Sequence, residues 1–162
     1  MQKITPFLWF NDNAEEAVNF YVSVFPHSKI VKVARYGDAG PGPKGQVMTM
    51  AFELDGQHFT ALNGGPQFPF TEAISLVVNV ENQKELDDIW NKLLQGGGKP
   101  VQCGWLKDKY GLSWQVVPTV LGELVADKDA EKAKRVMQAM LKMVKLDINE
   151  LKQAAEQTSV SR

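Results

Sequence analysis

Twice along the chain a short apolar run gives way to a helical stripe. Phe7-Leu8-Trp9-Phe10 is followed by Ala17, Phe20, Tyr21 and Val24, and Leu76-Val77-Val78-Asn79-Val80 by Leu86, Ile89, Trp90, Leu93 and Leu94. Residues 7–21 lie over residues 76–90 at a constant offset of 69. In each copy an asparagine, Asn13 or Asn82, stands three positions before a glutamate, Glu16 or Glu85. That spacing predicts a capping box, in which the asparagine accepts from a first-turn amide and the glutamate reaches back. Phe25-Pro26 ends the first stripe and Gly96-Gly97-Gly98 the second.

Strand-like runs follow each helix, at 29–36, 46–54 and 58–62 in the first half and at 99–105 and 112–117 in the second. The second half therefore reads one strand short. Asp55-Gly56 and Lys109-Tyr110-Gly111 mark tight turns, and residues 38–45, with Pro41 and Pro43 among glycines, read as a flexible exposed loop. The pattern implies a first βαβββ module at 1–63, a linker at 64–73 whose phenylalanines pack back on the protein, and a second module at 74–118. A helical extension at 119–157 follows. Asp129 opens one helix, Val136, Ala139, Met140, Met143 and Val144 form its stripe, and Asp147 with Glu150 caps another; residues 158–162 are expected to fray.

Composition excludes more than it assigns. The 162 residues are 44% hydrophobic and 23% charged, with 18 basic and 19 acidic side chains and a net charge of −1. Nothing in that balance suggests nucleic acid or an anionic membrane as a partner, and no apolar run reaches a membrane span. One cysteine, Cys103, excludes an internal disulfide framework and a cysteine-cluster metal site, so a cytoplasmic setting is expected.

The tandem strand-helix-strands repeat over residues 4–118 resembles the vicinal oxygen chelate superfamily, which includes glyoxalase I, extradiol dioxygenases and the fosfomycin- and bleomycin-resistance proteins. Phe7-Leu8-Trp9-Phe10, Asn13-Ala14-Glu15-Glu16-Ala17 and Phe20-Tyr21 look like its PhnB-like branch. The run from Cys103-Gly104-Trp105 through Trp114-Gln115-Val116-Val117-Pro118 is similar to a signature of the group labelled 3-demethylubiquinone-9 3-methyltransferase-like, as is the run from Met140 to Ile148. The resemblance implies an α+β fold of paired βαβββ modules whose curled sheets form a cup, with metal ligands on two strands of each half. It also implies homodimers.

Side-chain alternation carries that resemblance to individual residues. Phe7, Trp9, Leu76 and Val78 suit the faces beneath the helices, which leaves Pro6, Leu8, Phe10, Ser75, Val77 and Asn79 toward the cup. The positions where metal-dependent relatives hold ligands then read Pro6, Thr60 or Ala61, Ser75 and Gln115. None supplies imidazole, thiolate or carboxylate, so no metal and no cofactor is expected. The expected cup lining is Leu8, Phe10, Ala61, Asn63, Ser75, Val77, Asn79, Trp105 and Gln115, a mainly apolar wall whose aromatics favour a planar or quinone-like ligand. His58, at the cup rim, is the candidate proton carrier; His27 reads as a loop residue.

Four functions compete on this reading. A metal-free cup that binds a small organic molecule leads. The family label implies an S-adenosylmethionine-dependent methyltransferase, but the glycine-rich strand-to-helix turn of such cofactor sites is missing. Metal-dependent glyoxalase or dioxygenase chemistry lacks its ligands. A non-catalytic dimeric interaction protein, with the helical tail as interface, is the fourth.

Overall fold

The computed structural model describes residues 2–157, so the fraying expected at 158–162 lies outside the described residues. These divide into two compact units between Phe70 and Thr71.

The first unit runs β1 (Phe7–Phe10), α1 (Ala14–Val24), β2 (Lys29–Arg35), β3 (Val47–Leu54) and β4 (Gln57–Asn63). Its sheet has the order β1-β4-β3-β2, with β1 parallel to β4 and the other pairs antiparallel. The β3–β4 hairpin turns on Asp55 and Gly56, both at positive φ (47° and 82°), the backbone that matches the twist of the flanking strands. α1 packs on β3 and β4 and buries Ala14, Ala17, Val18 and Tyr21 against Leu8, Phe10, Met50, Phe52, Phe59 and Ala61. Each large side chain among these contributes about 1.5–3 kcal/mol on leaving water.

The register of this sheet corrects the expected faces. Leu8 pairs with Ala61 and Phe10 with Asn63, all four buried on the α1 side, while Phe7 and Trp9 pair with Thr60 and Leu62 on the other face. The reason is a single residue. Two residues, Asn11 and Asp12, separate β1 from Asn13, whereas Glu81 alone separates the equivalent strand from Asn82. The helices are therefore offset by 69 positions but the strands by 70, Phe10 matching Val80, and a one-residue shift exchanges the two faces of a strand. The capping boxes diverge for the same reason. Asn13 makes no side-chain cap, and the Ala14 amide donates instead to Asn63 Oδ1 at 2.8 Å. Asn82 does cap, accepting from the Glu85 amide at 2.9 Å.

The second unit runs β5 (Ser75–Val80), α2 (Gln83–Leu94), β6 (Lys99–Pro100), β7 (Trp105–Lys107) and β8 (Ser113–Pro118), with sheet order β5-β8-β7-β6. The strand expected over 99–105 is broken into β6 and β7, which restores four strands. Pro100 has no N–H for a ladder, and Cys103 and Gly104 take left-handed φ values of 57° and 84°. The amides these two residues withhold from the sheet donate to Met143 O at 2.9 Å and Val144 O at 2.8 Å. The helical extension, α3 (Thr119–Val125), α4 (Ala130–Leu141) and α5 (Ile148–Glu156), is thus docked on the second sheet rather than trailing from it. Gln83 completes the attachment: its amide donates to Leu146 O and Asp87 Oδ1 and accepts from the Ile148 amide. Within the extension the helix starts follow the sequence, with Asp129 and Asp147 both capping by their side chains.

Candidate functional site

Each unit covers one sheet face with its own first helix and leaves the other open. In the first unit the open face carries Phe7, which is 57% exposed, with Trp9, Thr60, Leu62 and His58. Trp9 is fixed from two sides. Its indole N–H donates to Gly65 O at 2.9 Å and its ring meets the edge of Phe68 at 5.0 Å. A Cβ at Gly64 would overlap the Trp9 ring, so glycine is needed there. His58 Nε2 lies 3.2 Å from Glu53 Oε1, the residue opposite it on β3, in a half-exposed cross-strand pair. The expected contact of the linker phenylalanines with the protein is present at Phe68 and at Phe70, whose ring lies 5.2 Å from that of Phe10.

Four expected lining residues are core residues instead. Leu8, Phe10 and Ala61 are buried beneath α1. Asn63, 3% exposed, spends its side chain on the fold: Oδ1 accepts from Ala14 N and Nδ2 donates to Val47 O at 3.0 Å. Of Thr60 and Ala61, Thr60 lies on the open face and Ala61 beneath α1.

In the second unit the expected residues are brought together. Ser75, Val77, Asn79, Trp105 and Gln115 share one face by register and alternation, and Val77 is 50% exposed. Gln115 Nε2 donates to Ser75 Oγ at 2.9 Å. Ser113, on the same face of β8, has a buried hydroxyl without a hydrogen-bond partner among the described residues. At the strand edge Lys107 pairs with Glu72 and holds that carboxyl below its ordinary value, mainly by hydrogen bonding.

In the charged run Lys107-Asp108-Lys109, which by sequence fits either a solvated turn or an anchor for the neighbouring strand, Asp108 is the anchor. It is 3% exposed and accepts from the amides of Tyr110 and Leu112 and from the Trp114 indole N–H. It fixes the β7–β8 hairpin, and through it Trp105 and Gln115. The signal available in sequence was Asp108 three residues before Gly111, an Asx-type turn, with Trp114 needing a partner if buried.

The donor set can be tested against the cofactors that the resemblance implies. Thr60, Ser75 and Gln115 offer neutral oxygens, and two of them are bonded to each other. Among the described residues no three His, Cys, Asp or Glu side chains converge. These residues do not fit a divalent metal, which needs charge compensation for its lost hydration. Nor do the strand-to-helix turns fit the methyl donor: Asn11-Asp12-Asn13 and Glu81-Asn82 contain no glycine to admit a phosphate or sulfonium cofactor against the backbone.

A family model described as 3-demethylubiquinone-9 3-methyltransferase matches residues 2–117, which leaves the three C-terminal helices outside the match. The PhnB protein of Bacillus cereus is 42% identical, with a TM-score of 0.67 over 73% of this chain and 100% of that one. Protein PA1353 of Pseudomonas aeruginosa is 23% identical, with a TM-score of 0.60 over 73% of this chain and 98% of that one. The fosfomycin resistance protein FosX of Listeria monocytogenes, solved with Mn(II) and sulfate, is 12% identical, with a TM-score of 0.51 over 76% and 97%. At these lower identities the likeness shows the fold, that of the vicinal oxygen chelate proteins with added C-terminal helices. No curated protein matches the chain.

Proposed function

We propose that this chain, which belongs to the 3-demethylubiquinone-9 3-methyltransferase family of PhnB-like vicinal oxygen chelate proteins, binds a small planar organic molecule without a metal. The observation that carries the reading is the open face of the second unit. Val77 and Trp105 give it apolar and aromatic surface, and the Ser75–Gln115 pair gives it hydrogen-bonding groups for a carbonyl-type oxygen. Phe7 and Trp9 make the open face of the first unit a second aromatic surface of the same kind. His58, already paired with Glu53, is the group that could move a proton beside it.

Titration with 1,4-naphthoquinone tests this, read by quenching of tryptophan fluorescence and by thermal shift. Stabilisation that is lost in Trp105→Ala and weakened in Gln115→Leu supports the reading. No stabilisation, or stabilisation indifferent to both substitutions, refutes it. Stoichiometric Zn, Ni, Mn or Fe in protein purified without a tag overturns the metal-free part, and stabilisation by S-adenosylmethionine revives the transferase reading.

No helix among the described residues is long and apolar enough to cross a membrane. We place the protein in the cytoplasm as a homodimer. The edge strand β2, with Ile30, Val31 and Val33 exposed, supports a partner copy there, and a concentration-independent monomer in light scattering would remove that element.

A further inference from the structure

A further concavity lies wholly within the first unit. It is a cleft of about 440 Å³ where β1 and β4 end, walled by residues 41–43 and by residues 63–65. That volume falls in the range of small-molecule sites, about 300–1,000 Å³.

The cleft is built rather than incidental. Its outer wall, the loop expected to be flexible, is clamped on Tyr36. A Cβ at Gly40 or Gly42 would overlap the Tyr36 ring, so these glycines let the loop lie against it. Tyr36 N donates to Gln46 O and Gly45 N to Tyr36 O, both at 2.9 Å, and the buried phenol donates to Asn63 O at 2.6 Å. The inner wall is fixed by Gly64 N to Phe10 O at 2.9 Å and Gly65 N to Asn11 O at 3.0 Å. With the frame satisfied by its own backbone, the side chains of Asn11, Asp12, Gln46 and Gln67 line the cleft and make no hydrogen bond or ion pair among the described residues. Asn11 and Asp12 are the two residues that set the first unit's strand-to-helix turn apart from the second's.

The chemistry of those four groups selects the ligand. No cation is among the residues that line the cleft, and the two that adjoin them in sequence are committed elsewhere, Arg35 to Gly45 O at 3.1 Å and to Glu15 at 3.3 Å, and Lys44 to Asp38 at 3.0 Å. A phosphate or carboxylate would meet the Asp12 carboxylate unpaired. An ammonium would suit Asp12 but leave the N–H donors of three carboxamides without acceptors. Hydroxyl groups both donate and accept, and so match one carboxylate and three carboxamides together. We infer that this cleft binds a small neutral polyhydroxylated molecule of mono- or disaccharide size, held by Asp12, Asn11, Gln46 and Gln67 over the Tyr36 loop.

The test is an ¹⁵N-resolved NMR titration of the full chain with D-glucose, D-galactose, myo-inositol, maltose and sucrose, alongside glucose 6-phosphate and glucosamine. At least one neutral probe is expected to shift the amides of Asn11, Asp12, Gln46, Gly64 and Gly65. Asp12→Ala and Gln46→Ala should each weaken that probe by about tenfold, one hydrogen-bonded contact's worth. Both side chains lack partners, so the variants keep the spectrum elsewhere, which verifies the fold. Silence from every neutral probe, stronger binding of the phosphate or the amine, or shifts confined to the open sheet faces would overturn the inference. Because the site shares no residue with the quinone-type surface, either proposal can fail while the other stands.

Discussion

Replacing Asp108 with asparagine changes one oxygen to an amide nitrogen, and the hairpin geometry says what that costs. One carboxylate oxygen accepts from Tyr110 N at 2.8 Å and Leu112 N at 3.1 Å, and the other from Trp114 Nε1 at 2.9 Å. Asparagine can serve the first two donors with its own oxygen, as neutral bonds weaker by about 0.5–1 kcal/mol each than bonds to a charged acceptor. Its nitrogen then faces the indole N–H, donor against donor, and a buried unpaired donor costs about 1–3 kcal/mol. Turning the amide over moves the conflict to two backbone donors and is worse. The sum, discounted because the three bonds share one group, is about 2–4 kcal/mol lost on Asp108→Asn.

Urea unfolding in a double-mutant cycle with Trp114→Phe separates the parts. Phenylalanine keeps the ring in its buried place and removes the N–H, so in that background Asp108→Asn should cost only about 1 kcal/mol. An effect of the asparagine within about 0.5 kcal/mol of zero, or equal costs in the two backgrounds at unchanged m-value, would refute the argument that Asp108 is the hairpin's anchor.

Three further outcomes follow from the packing. Asn63→Ala should destabilise by about 2–4 kcal/mol in thermal or urea unfolding, because it strands both the Ala14 amide and the Val47 carbonyl in a buried site. Gln83→Ala breaks the two bonds that tie Leu146 and Ile148 to α2, and a third to Asp87 within α2, and should cost about 1–3 kcal/mol with hydrogen exchange rising first in α5; uniform loss of protection would count against it. Lys145, with Gln83 assisting, holds the Asp87 carboxyl below its ordinary value of 3.8, so the pair stabilises the fold above that pH and the contribution is lost as pH falls through the lowered value. Both partners are partly exposed, which limits the effect to about 0–1 kcal/mol; Lys145→Met should flatten that part of the acid-unfolding profile, and an unchanged profile would show the pair to be inert.

Most of the architecture was legible because repeat, helix stripes and caps are local signals. Asp129, Asp147 and Asn82 cap where their spacing says they should. In the second unit the open face of Ser75, Val77, Asn79, Trp105 and Gln115 is the one that alternation predicts. Long-range partners were not legible. Nothing near Asn63 in sequence reveals that it caps a helix 49 residues earlier, nor that Cys103 and Gly104 turn their amides to residues 143 and 144. Those bonds are what convert an exposed-looking polar residue into core and a strand into two.

The inversion of the first face has a more specific origin, and it joins the two halves of the functional argument. Helix caps anchor an internal alignment firmly, so an offset measured on Asn13 and Asn82 is carried onto the strands ahead of them. A strand has period two, and one extra residue between strand and cap reverses its faces while leaving every helix match intact. That extra residue lies in Asn11-Asp12, which together with Asn63–Gly65 lines the polar cleft. In the second unit Glu81 alone makes the turn and Asn82 caps locally; in the first the cap is supplied from β4, and the turn residues are released to face solvent. The departure from internal symmetry thus has a structural use. Shortening the turn by deleting Asp12 would return the cap to Asn13 and leave the buried Asn63 Oδ1 without the Ala14 amide, at a cost of about 1–3 kcal/mol. If the turn is shaped for a ligand, the same deletion should abolish sugar-induced shifts while leaving naphthoquinone binding intact.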